Sequence, residues 1–481
     1  MRGFTTCLLV ALAQAPVLAQ SGPLEAQYRA LAQSPAASGA QWAVYAADAD
    51  TGKVLLDHNA GSRLIPASTL KLFVTAAAVS VLGPDYKFKT DVCASSGVSN
   101  GTLDGDIVVV GGGDPSLGST VIEGARDYRA VINSWADAVK SAGIREISGG
   151  VAADVSLFDG LPVPDSWPYA DLGNYYAAGA SALSINDNLY KLYFRPGREG
   201  APAAVLRSEP DQQIRWDNFM LTGAPGSGDN GYIFRAPGQR EAQLRGTVPA
   251  GPEEFAIKGS MPDPALFAAE AFTGALREKG IRVAREPRVS ASPLPRQRLL
   301  ARTESYPVKD IVFVTNKRSF NFYAEMLLRA LAVNSGDRGS EERGLAALRK
   351  YLSGIGITPD MARLADACGL SKNNAATARA LAKLLIYMRT ARGAEAFAAS
   401  LPCPGDRFST GHIKTFCDGT AAQGRIRVKS GSLSGVRSYA GYIKAKSGRT
   451  IAFAFIINNY SVSGAEVDKL HERLAQACAL L

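Results

Sequence analysis

Histidine is scarce in this sequence, and long apolar runs are missing after the N-terminus. The three histidines, His58, His412 and His471, lie far apart, and no cluster of Cys and His has the spacing of a zinc site. We therefore expect no metal and no cofactor. No later run approaches the roughly 20 apolar residues of a membrane-spanning helix, which predicts no transmembrane segment. Low-complexity tracts and solenoid repeats are also missing, so a repeat architecture is excluded.

The charge is biased toward basic residues, with 53 Lys and Arg against 44 Asp and Glu and a net charge of +9. Such a protein is attracted to polyanions, either nucleic acid or an anionic cell envelope. The positive residues are scattered, however, and no basic run is interleaved with aromatic residues, which argues against a nucleic-acid partner. The length of 481 residues and the 46% hydrophobic content predict a globular protein of two or more domains.

The N-terminus has the pattern of a signal peptide. A positive start at Met1-Arg2 precedes an apolar stretch from Cys7 to Leu18, which ends in a small-residue cleavage site at Ala19. Residues 1–19 are therefore predicted to be removed, with export to the periplasm or the extracellular cell envelope. The alternative is a buried N-terminal core helix.

Removal of residues 1–19 leaves an odd number of cysteines. In an oxidising compartment close pairs tend to form disulfides, and the spacing favours a bond between Cys403 and Cys417. At least one thiol stays unpaired. The five residues are Cys93, Cys368, Cys403, Cys417 and Cys478.

The pattern of apolar residues divides the chain into two kinds of region. Helices and strands with clear periodicity occupy both ends, whereas residues 89–299 are rich in Gly, Pro and Asp and carry short strands. We predict an α+β fold in which the N-terminal hairpin and the C-terminal strands share one antiparallel sheet. The predicted elements outside 89–299 are a hairpin at 41–57, helices at 66–82, 316–332, 341–354 and 375–392, strands at 425–429, 439–444 and 450–458, and a helix at 465–480.

The last of these helices has an apolar face formed by Val467, Leu470, Leu474 and Leu481. We expect this face to pack on the sheet, because the polar face mixes acidic residues with few lysines. The alternative is a helix that lies on a membrane surface. Within residues 89–299, two further helices are predicted, at 125–142 and 264–279.

Ser68-Thr69-Leu70-Lys71 opens the helix at 66–82. A spacing of three places Ser68 and Lys71 on one helical face, where a lysine of lowered pKa can activate the serine as a nucleophile. Such a motif is common by chance, and the alternative is an N-capping serine followed by an exposed lysine.

Two later motifs supply the other groups that acyl transfer needs. Ser319-Phe320-Asn321 opens a helix and can relay a proton and hold a substrate amide. Lys429-Ser430-Gly431-Ser432 ends a predicted strand, where the lysine and the hydroxyl can bind a terminal carboxylate. Gly431 permits close approach of a substrate backbone, and the backbone N–H groups of Ser68 and Ser432 can form an oxyanion hole. For either motif alone, capping or a polar strand end is the alternative.

The ordered set of three motifs is far more specific than each member. It resembles the signature of penicillin-binding proteins and class A β-lactamases. The long separation of Ser68 from Ser319 resembles in particular the class C low-molecular-mass penicillin-binding proteins, the D-alanyl-D-alanine carboxypeptidase/endopeptidase family. Further matching stretches are Gly112-Gly113-Asp114-Pro115, Ser156-Leu157-Phe158, Trp167-Pro168 followed by Asp171, 366–371, and Gly431-Ser432-Leu433 running to Ala440-Gly441-Tyr442.

The resemblance implies a transpeptidase/β-lactamase-like catalytic domain made of residues 20–88 and 300–481. It implies that residues 89–299 form two accessory domains, one nested in the other. The implied activity is cleavage of D,D-peptide bonds in peptidoglycan stem peptides through an acyl-enzyme on Ser68, with inhibition by β-lactams.

The resemblance also implies a role for each motif residue. Lys71 is the expected base, Ser319 and Asn321 the proton relay and amide anchor, and Lys429 with Ser430 the carboxylate-binding pair. Asp171 matches an acidic residue that binds the amine of diaminopimelate in relatives, and the alternative is a solvated loop carboxylate.

The sequence departs from the family pattern at three places. Ser430 stands where threonine is usual, Asp366-Ala367-Cys368-Gly369-Leu370-Ser371 replaces D-G-S-G-L-S, and the stretch 401–407 is altered, which affects the expected cleft rim. Two other functions remain as alternatives. One is a β-lactamase, which deacylates quickly, and the other is a peptidoglycan-binding protein without turnover.

Overall fold

A computed structural model describes residues 22–481, so the predicted signal peptide at 1–19 lies outside the described residues. The predicted helices occur in the predicted order, and three further helices, at 23–32, 308–317 and 394–400, were not predicted as separate elements. The helices are α1 (Pro23–Ala32), α2 (Lys71–Val81), α3 (Tyr128–Ser141), α4 (Pro264–Glu278), α5 (Val308–Lys317), α6 (Asn321–Asn334), α7 (Glu341–Gly354), α8 (Ala378–Tyr387), α9 (Ala394–Ser400) and α10 (Gly464–Leu480).

The strands fall into three stretches of the chain. The first contains β1 (Gln41–Asp48), β2 (Val54–His58) and β3 (Arg63–Leu64). The second contains β4 (Lys89–Ala94), β5 (Val98–Ser99), β6 (Thr102–Leu103), β7 (Ile107–Val110), β8 (Glu146–Ile147), β9 (Val151–Asp154), β10 (Leu189–Arg195), β11 (Ala204–Glu209), β12 (Arg215–Asn218), β13 (Leu221–Gly223), β14 (Asn230–Phe234), β15 (Glu241–Pro249), β16 (Phe255–Ser260), β17 (Arg282–Val283), β18 (Arg288–Ser290) and β19 (Arg298–Glu304). The third contains β20 (Ala362–Arg363), β21 (Ala375–Thr377), β22 (Ile426–Leu433), β23 (Val436–Lys444) and β24 (Thr450–Asn458).

The predicted sharing of one sheet by the N-terminal hairpin and the C-terminal strands is confirmed. Five antiparallel strands pair in the order β2-β1-β24-β23-β22. Both faces are covered, because alternate residues of β1 enter different hydrophobic clusters: Ala43 and Tyr45 pack with α2 and α8, whereas Trp42 and Val44 pack with α1 and α10. This two-sided burial explains why the strands read as nearly continuous apolar runs.

The terminal helix α10 packs on the sheet, as predicted. Its N-terminus is closed by a capping box, in which the Ser463 side chain accepts from the N–H of Glu466 and the Glu466 side chain accepts from the N–H of Ser463. Val467, Leu470 and Leu474 are buried in the same cluster as β1 and β24. Within residues 22–481, no helix combines the length and the apolarity needed to cross a membrane.

The prediction of one continuous helix at 316–332 is wrong. The chain leaves the helical path between α5 and α6, where Ser319 has a φ of 54°. The N–H of Phe320 donates to the carbonyl of Thr315 at 3.0 Å, which is the six-residue hydrogen bond of a Schellman helix end. The apolar periodicity continues through this break, so the sequence pattern did not reveal it.

Other boundaries also differ from the prediction. Residues 375–377 form β21 rather than helix, and α8 ends at Tyr387 instead of continuing to 392. Lys429-Ser430-Gly431 does not end its strand, because β22 continues to Leu433 and stays paired with β23 throughout. The motif residues are therefore held by a regular ladder of hydrogen bonds rather than by a strand end.

The predicted disulfide is also wrong. All five cysteines of residues 22–481 carry free thiols. Cys417 is buried in the cluster between the sheet and α10, beside Phe416, whose ring stacks on Tyr439. Cys403 lies instead in a turn where its N–H donates to the carboxylate of Asp406. Proximity in sequence therefore does not bring the two sulfur atoms together.

The stretch between α2 and α5 contains two separate hydrophobic clusters. One joins α3 and α4 to the sheets β18-β9-β7-β4-β19 and β17-β8-β6-β5. The other lies between the sheet β11-β10-β16 and the sheet formed by β12, β13, β14 and β15. The second cluster is built from residues 190–261, which interrupt the sequence of the first.

The packing of α10 predicts how truncations on its two faces differ. Leu474→Ala removes a fully buried side chain and should destabilise the protein by about 2–5 kcal/mol, through lost apolar contact and a residual cavity. Arg473→Ala, on the exposed face of the same helix, should change stability by less than about 0.5 kcal/mol. Urea denaturation of both variants measures the difference, and equal effects would contradict the packing of this face.

Candidate active site

The nucleophile candidate Ser68 lies in a 3₁₀ turn, Ala67–Leu70, that leads directly into α2. Ala67 before it has a φ of 47°, a left-handed conformation that is costly for a non-glycine residue and concentrates at functional sites. Lys71 Nζ donates a hydrogen bond to Ser68 Oγ at 2.9 Å. The alternative of an N-cap with an exposed lysine does not hold, because Lys71 is fully buried and the Ser68 side chain makes no capping bond.

Three acceptors surround the amine of Lys71. Besides Ser68 Oγ, they are Asn321 Oδ1 at 2.6 Å and the backbone carbonyl of Cys368 at 2.7 Å. Burial lowers the pKa of Lys71, and nearby anionic groups, including Asp366 and Glu325, oppose part of that effect. A lysine that loses its proton more readily than in water can act as a general base.

The second motif approaches from the break between α5 and α6. The left-handed backbone at Ser319 turns its side chain toward β22, where Ser319 Oγ accepts a hydrogen bond from Lys429 Nζ at 2.9 Å. Asn321 begins α6 and bridges two groups, since its Oδ1 accepts from Lys71 and its Nδ2 donates to the carbonyl of Tyr176 at 2.8 Å. The two motifs are thereby joined through their side chains.

The third motif lies on β22, the edge strand of the sheet. Lys429 is buried, and its Nζ also donates to the carbonyl of Ser430 at 2.6 Å. Burial, followed by the neighbouring charge of Lys71, lowers the pKa of Lys429 well below its usual range. The N–H of Val428 donates outward to Pro402 at 2.8 Å, so the alternation of an antiparallel strand turns the N–H groups of Ser430 and Ser432 outward as well.

Gly431 is where the edge strand meets the turn that carries Ser68, residues 66–70, which we call the nucleophile turn. A Cβ at this position would lie 2.6 Å from the carbonyl oxygen of Pro66 and 2.8 Å from the backbone nitrogen of Ser68. No side chain fits there, so glycine is required by close approach. Ser432 is exposed beside it, with its Oγ accepting from Arg437 at 2.6 Å. The N–H groups of Ser68 and Ser432 thus belong to two segments in direct contact.

Asp171 is connected to the reacting groups through Tyr176. Its carboxylate accepts a hydrogen bond from the Tyr176 hydroxyl at 3.0 Å, and the carbonyl of Tyr176 accepts from Asn321. Asp171 is partly buried, and desolvation raises its pKa. The carboxylate is therefore partly desolvated and bonded to a side chain rather than fully solvated, and its role in substrate binding stays a prediction.

Several residues of the site were not identified from sequence as site residues. Cys368 contributes only its backbone carbonyl, which has no side-chain signature. Tyr176 anchors Asn321, and Ser438 braces the nucleophile turn by donating to the carbonyl of Pro66 at 2.5 Å. The position of Glu325, four residues after Asn321 on a helix, was a usable signal, because that spacing places both on one face.

The one cluster of three ligand-type side chains within residues 22–481 is Glu325, Asp366 and Cys368. Its carboxylates face N–H groups: Glu325 accepts from two backbone N–H groups, and Asp366 accepts from two others and from the indole of Trp167. The N–H groups donate to the carboxylate oxygens that a cation would need as ligands. The cluster therefore does not fit a bound metal ion.

The chain is similar in sequence and fold to proteins of known name. The chain is 32% identical over 459 residues to a D-alanyl-D-alanine carboxypeptidase of Actinomadura sp. (strain R39), covering 93% of this chain and 83% of that protein. It is 26% identical to the D-alanyl-D-alanine carboxypeptidase DacB of Haemophilus influenzae, covering 86% and 84%. The crystal structure of penicillin binding protein 4 (dacB) from Haemophilus influenzae superposes with a TM-score of 0.78 at 24% identity, covering 93% of this chain and 97% of that one.

The structural likeness confirms the predicted fold class, since the chain has the fold of this crystallised protein. Residues 24–479 match the D-Ala-D-Ala carboxypeptidase 3 (S13) family. The match spans almost the whole described chain and agrees with the family that the three motifs predicted. The protein belongs to the D-Ala-D-Ala carboxypeptidase 3 (S13) family.

Proposed function

We propose that this protein is an exported serine D,D-peptidase that cleaves D-Ala-D-Ala or related D,D-peptide bonds in peptidoglycan stem peptides. The observation that carries the proposal is the contact of Lys71 Nζ with Ser68 Oγ at 2.9 Å, with the amine buried and its pKa lowered. A serine needs such an adjacent base to become a nucleophile at neutral pH. The family match supports the same chemistry.

In the proposed acylation, neutral Lys71 takes the proton of Ser68 as Oγ attacks the carbonyl of the scissile D,D-peptide bond. The N–H groups of Ser68 and Ser432 stabilise the oxyanion of the tetrahedral intermediate. The proton reaches the leaving amine through Ser319, which lies against Lys429. Cleavage of the C–N bond releases D-alanine or a cross-linked stem and leaves an ester on Ser68. Water then hydrolyses this ester with Lys71 again as base.

The remaining motif residues are proposed to bind the substrate. Lys429 and Ser430 hold the terminal carboxylate by charge-assisted hydrogen bonds at the sheet edge. Asn321 anchors the amide of the stem, and Gly431 allows its backbone to lie along β22. Asp171 binds the amine of the stem diamino acid. β-Lactams are expected to inhibit by acylating Ser68.

We also propose an organisation for the whole chain. Residues 1–19 direct export and are removed, residues 20–88 with 300–481 form the catalytic domain, and residues 89–299 form two accessory domains. The separate hydrophobic clusters between α2 and α5 support two units, with residues 190–261 nested inside the other. The pairing of β4 with β19 supports a boundary at each end of the insertion.

Intact-mass spectrometry after brief exposure to benzylpenicillin tests the nucleophile. The mature protein should gain the mass of one penicillin, and Ser68→Ala should gain none, because the ester requires Oγ. Ser461→Ala, the same change at an exposed serine outside the proposed site, is the matched control and should still be acylated at Ser68.

The alternatives give different results in the same experiment. A β-lactamase would show rapid turnover of penicillin without a lasting adduct. A binding protein without turnover would show neither an adduct nor cleavage of a D-Ala-D-Ala peptide, and that result on folded protein would overturn the proposed function.

Lys71→Arg tests the base. Arginine keeps the positive charge but cannot be deprotonated in a protein, so acylation should fall by about 10²–10⁴-fold at neutral pH. In the native enzyme the rate should increase as pH rises through the lowered pKa of Lys71, since only the neutral amine accepts a proton. Stopped-flow acylation by a chromogenic cephalosporin measures both. An Arg variant as fast as the native enzyme would contradict the role of Lys71.

Asp171→Asn tests recognition of the stem amine. The variant should lose about tenfold in kcat/KM on a stem peptide with a free side-chain amine, because one charge-assisted hydrogen bond is lost. On the same peptide with that amine acetylated, the native enzyme and the variant should be equal. Release of D-alanine gives both rates, and an equal loss on the two peptides would refute binding of the amine by Asp171.

A further inference from the structure

Glu325 lies on α6, one helical turn after Asn321, and is buried. Its Oε1 accepts hydrogen bonds from the backbone N–H groups of Ala367 and Cys368, at 2.9 and 3.0 Å. The carbonyl of Cys368 in turn accepts from Lys71 Nζ at 2.7 Å. Glu325 is therefore connected to the catalytic amine through a single residue, although it touches neither Lys71 nor Ser68 by a hydrogen bond.

The segment that Glu325 holds is a tightly bonded turn, residues 366–371, which we call the carbonyl turn. Asp366 closes it by accepting from the N–H groups of Gly369 and Ser371, both at 2.7 Å, and from the indole of Trp167 at 3.0 Å. Gly369 has a φ of 84°, and a Cβ there would lie 2.0 Å from the carbonyl oxygen of Ala67. The carbonyl turn thus lies directly against the nucleophile turn, and a shift of one moves the other.

The charge of Glu325 is only partly balanced. The side chain of Arg329 is also buried, and its guanidinium nitrogen Nη1 lies 3.6 Å from Glu325 Oε2. The guanidinium donates hydrogen bonds instead to the backbone carbonyls of Glu325 and Leu161. Oε2 has no hydrogen-bond partner among the described residues. Burial raises the pKa of Glu325 to about 7. The titratable groups that face it from its own helix, α2, α7 and the carbonyl turn are Arg329, Lys71, Glu341, Asp366 and Cys368.

We propose that Glu325 is a positioning residue for the acyl transfer, which holds the carbonyl turn against Lys71 and places a negative charge near its amine. The inference rests on the proposed function, because it assigns Glu325 a task only if Lys71 is the base. A carboxylate suits both tasks, since one oxygen accepts two N–H groups while its charge acts on the lysine.

The two tasks separate in two variants. Glu325→Gln keeps an oxygen for the N–H groups but removes the charge, so the pKa of Lys71 should fall further, because its desolvation stays and an opposing carboxylate is gone. A larger fraction of Lys71 is then neutral at a given pH. Glu325→Ala removes the acceptor as well, and the carbonyl turn loses its attachment to α6.

The test measures the acylation rate of the full mature protein by a chromogenic cephalosporin from acidic to alkaline pH. Because the pKa of Glu325 is about 7, its charge acts on Lys71 mainly at neutral and higher pH. In that range Glu325→Gln should shift the rising limb of the profile to lower pH by up to about one unit and keep the plateau rate. Glu325→Ala should lower the plateau rate by about 10²-fold, as expected when a catalytic group is misplaced. Glu342→Gln, the same change at an exposed position on α7, is the matched control and should leave the profile unchanged.

Glu325→Gln leaves the charge of Arg329 buried without its partner, which could destabilise the fold. A double variant controls for this effect. Glu325→Gln/Arg329→Met removes both charges and should shift the limb in the same direction. If the native enzyme is acylated but both Gln variants keep its pH profile while only their melting temperature falls, Glu325 is merely structural and the inference is overturned. Failure of the native enzyme itself to be acylated would instead count against the proposed function.

Discussion

The burial of the Lys71 amine is the constraint on which the rest of the site depends. A cation taken out of water is stable only with acceptors around it, and here the three acceptors come from three distant parts of the chain: the nucleophile turn, the start of α6 and the carbonyl turn. The site therefore exists only when these segments pack together. The same burial lowers the pKa of the amine and suits it to accept a proton.

This dependence explains what could be predicted from the sequence. The sheet, α2 and α10 follow from local periodicity, which survives in the folded protein because each apolar face finds its partner. The serine–lysine, serine–asparagine and lysine–serine–glycine motifs were identifiable because their side chains carry the chemistry. Their order along the chain predicted the family. The fold joins Ser68, Lys71 and Asn321 by hydrogen bonds and places the bonded pair of Ser319 and Lys429 close enough for the charge of Lys71 to act on Lys429.

The features that the sequence did not predict are those set by the backbone and by burial. The helix break at Ser319 has no glycine to mark it, and the contact of Cys368 with Lys71 uses a carbonyl that every residue possesses. Glu325 and Arg329 have the spacing of an exposed ion pair on a helix, and charged residues are usually at the surface. Only the packing of α6 under the carbonyl turn makes them part of the interior.

Lys429 completes the electrostatics of the cleft. It is buried like Lys71, and the positive charge of Lys71 adds to the effect of burial in disfavouring the charged form of Lys429. Within the proposed reaction, a substrate carboxylate bound at Lys429 favours the charged form of that lysine. The ion pair formed by this lysine and the carboxylate has no net charge, so it adds little positive charge near Lys71. Binding of the anionic end of the substrate at β22 would thus keep Lys429 charged, while the lowered pKa of Lys71 still follows mainly from its own burial.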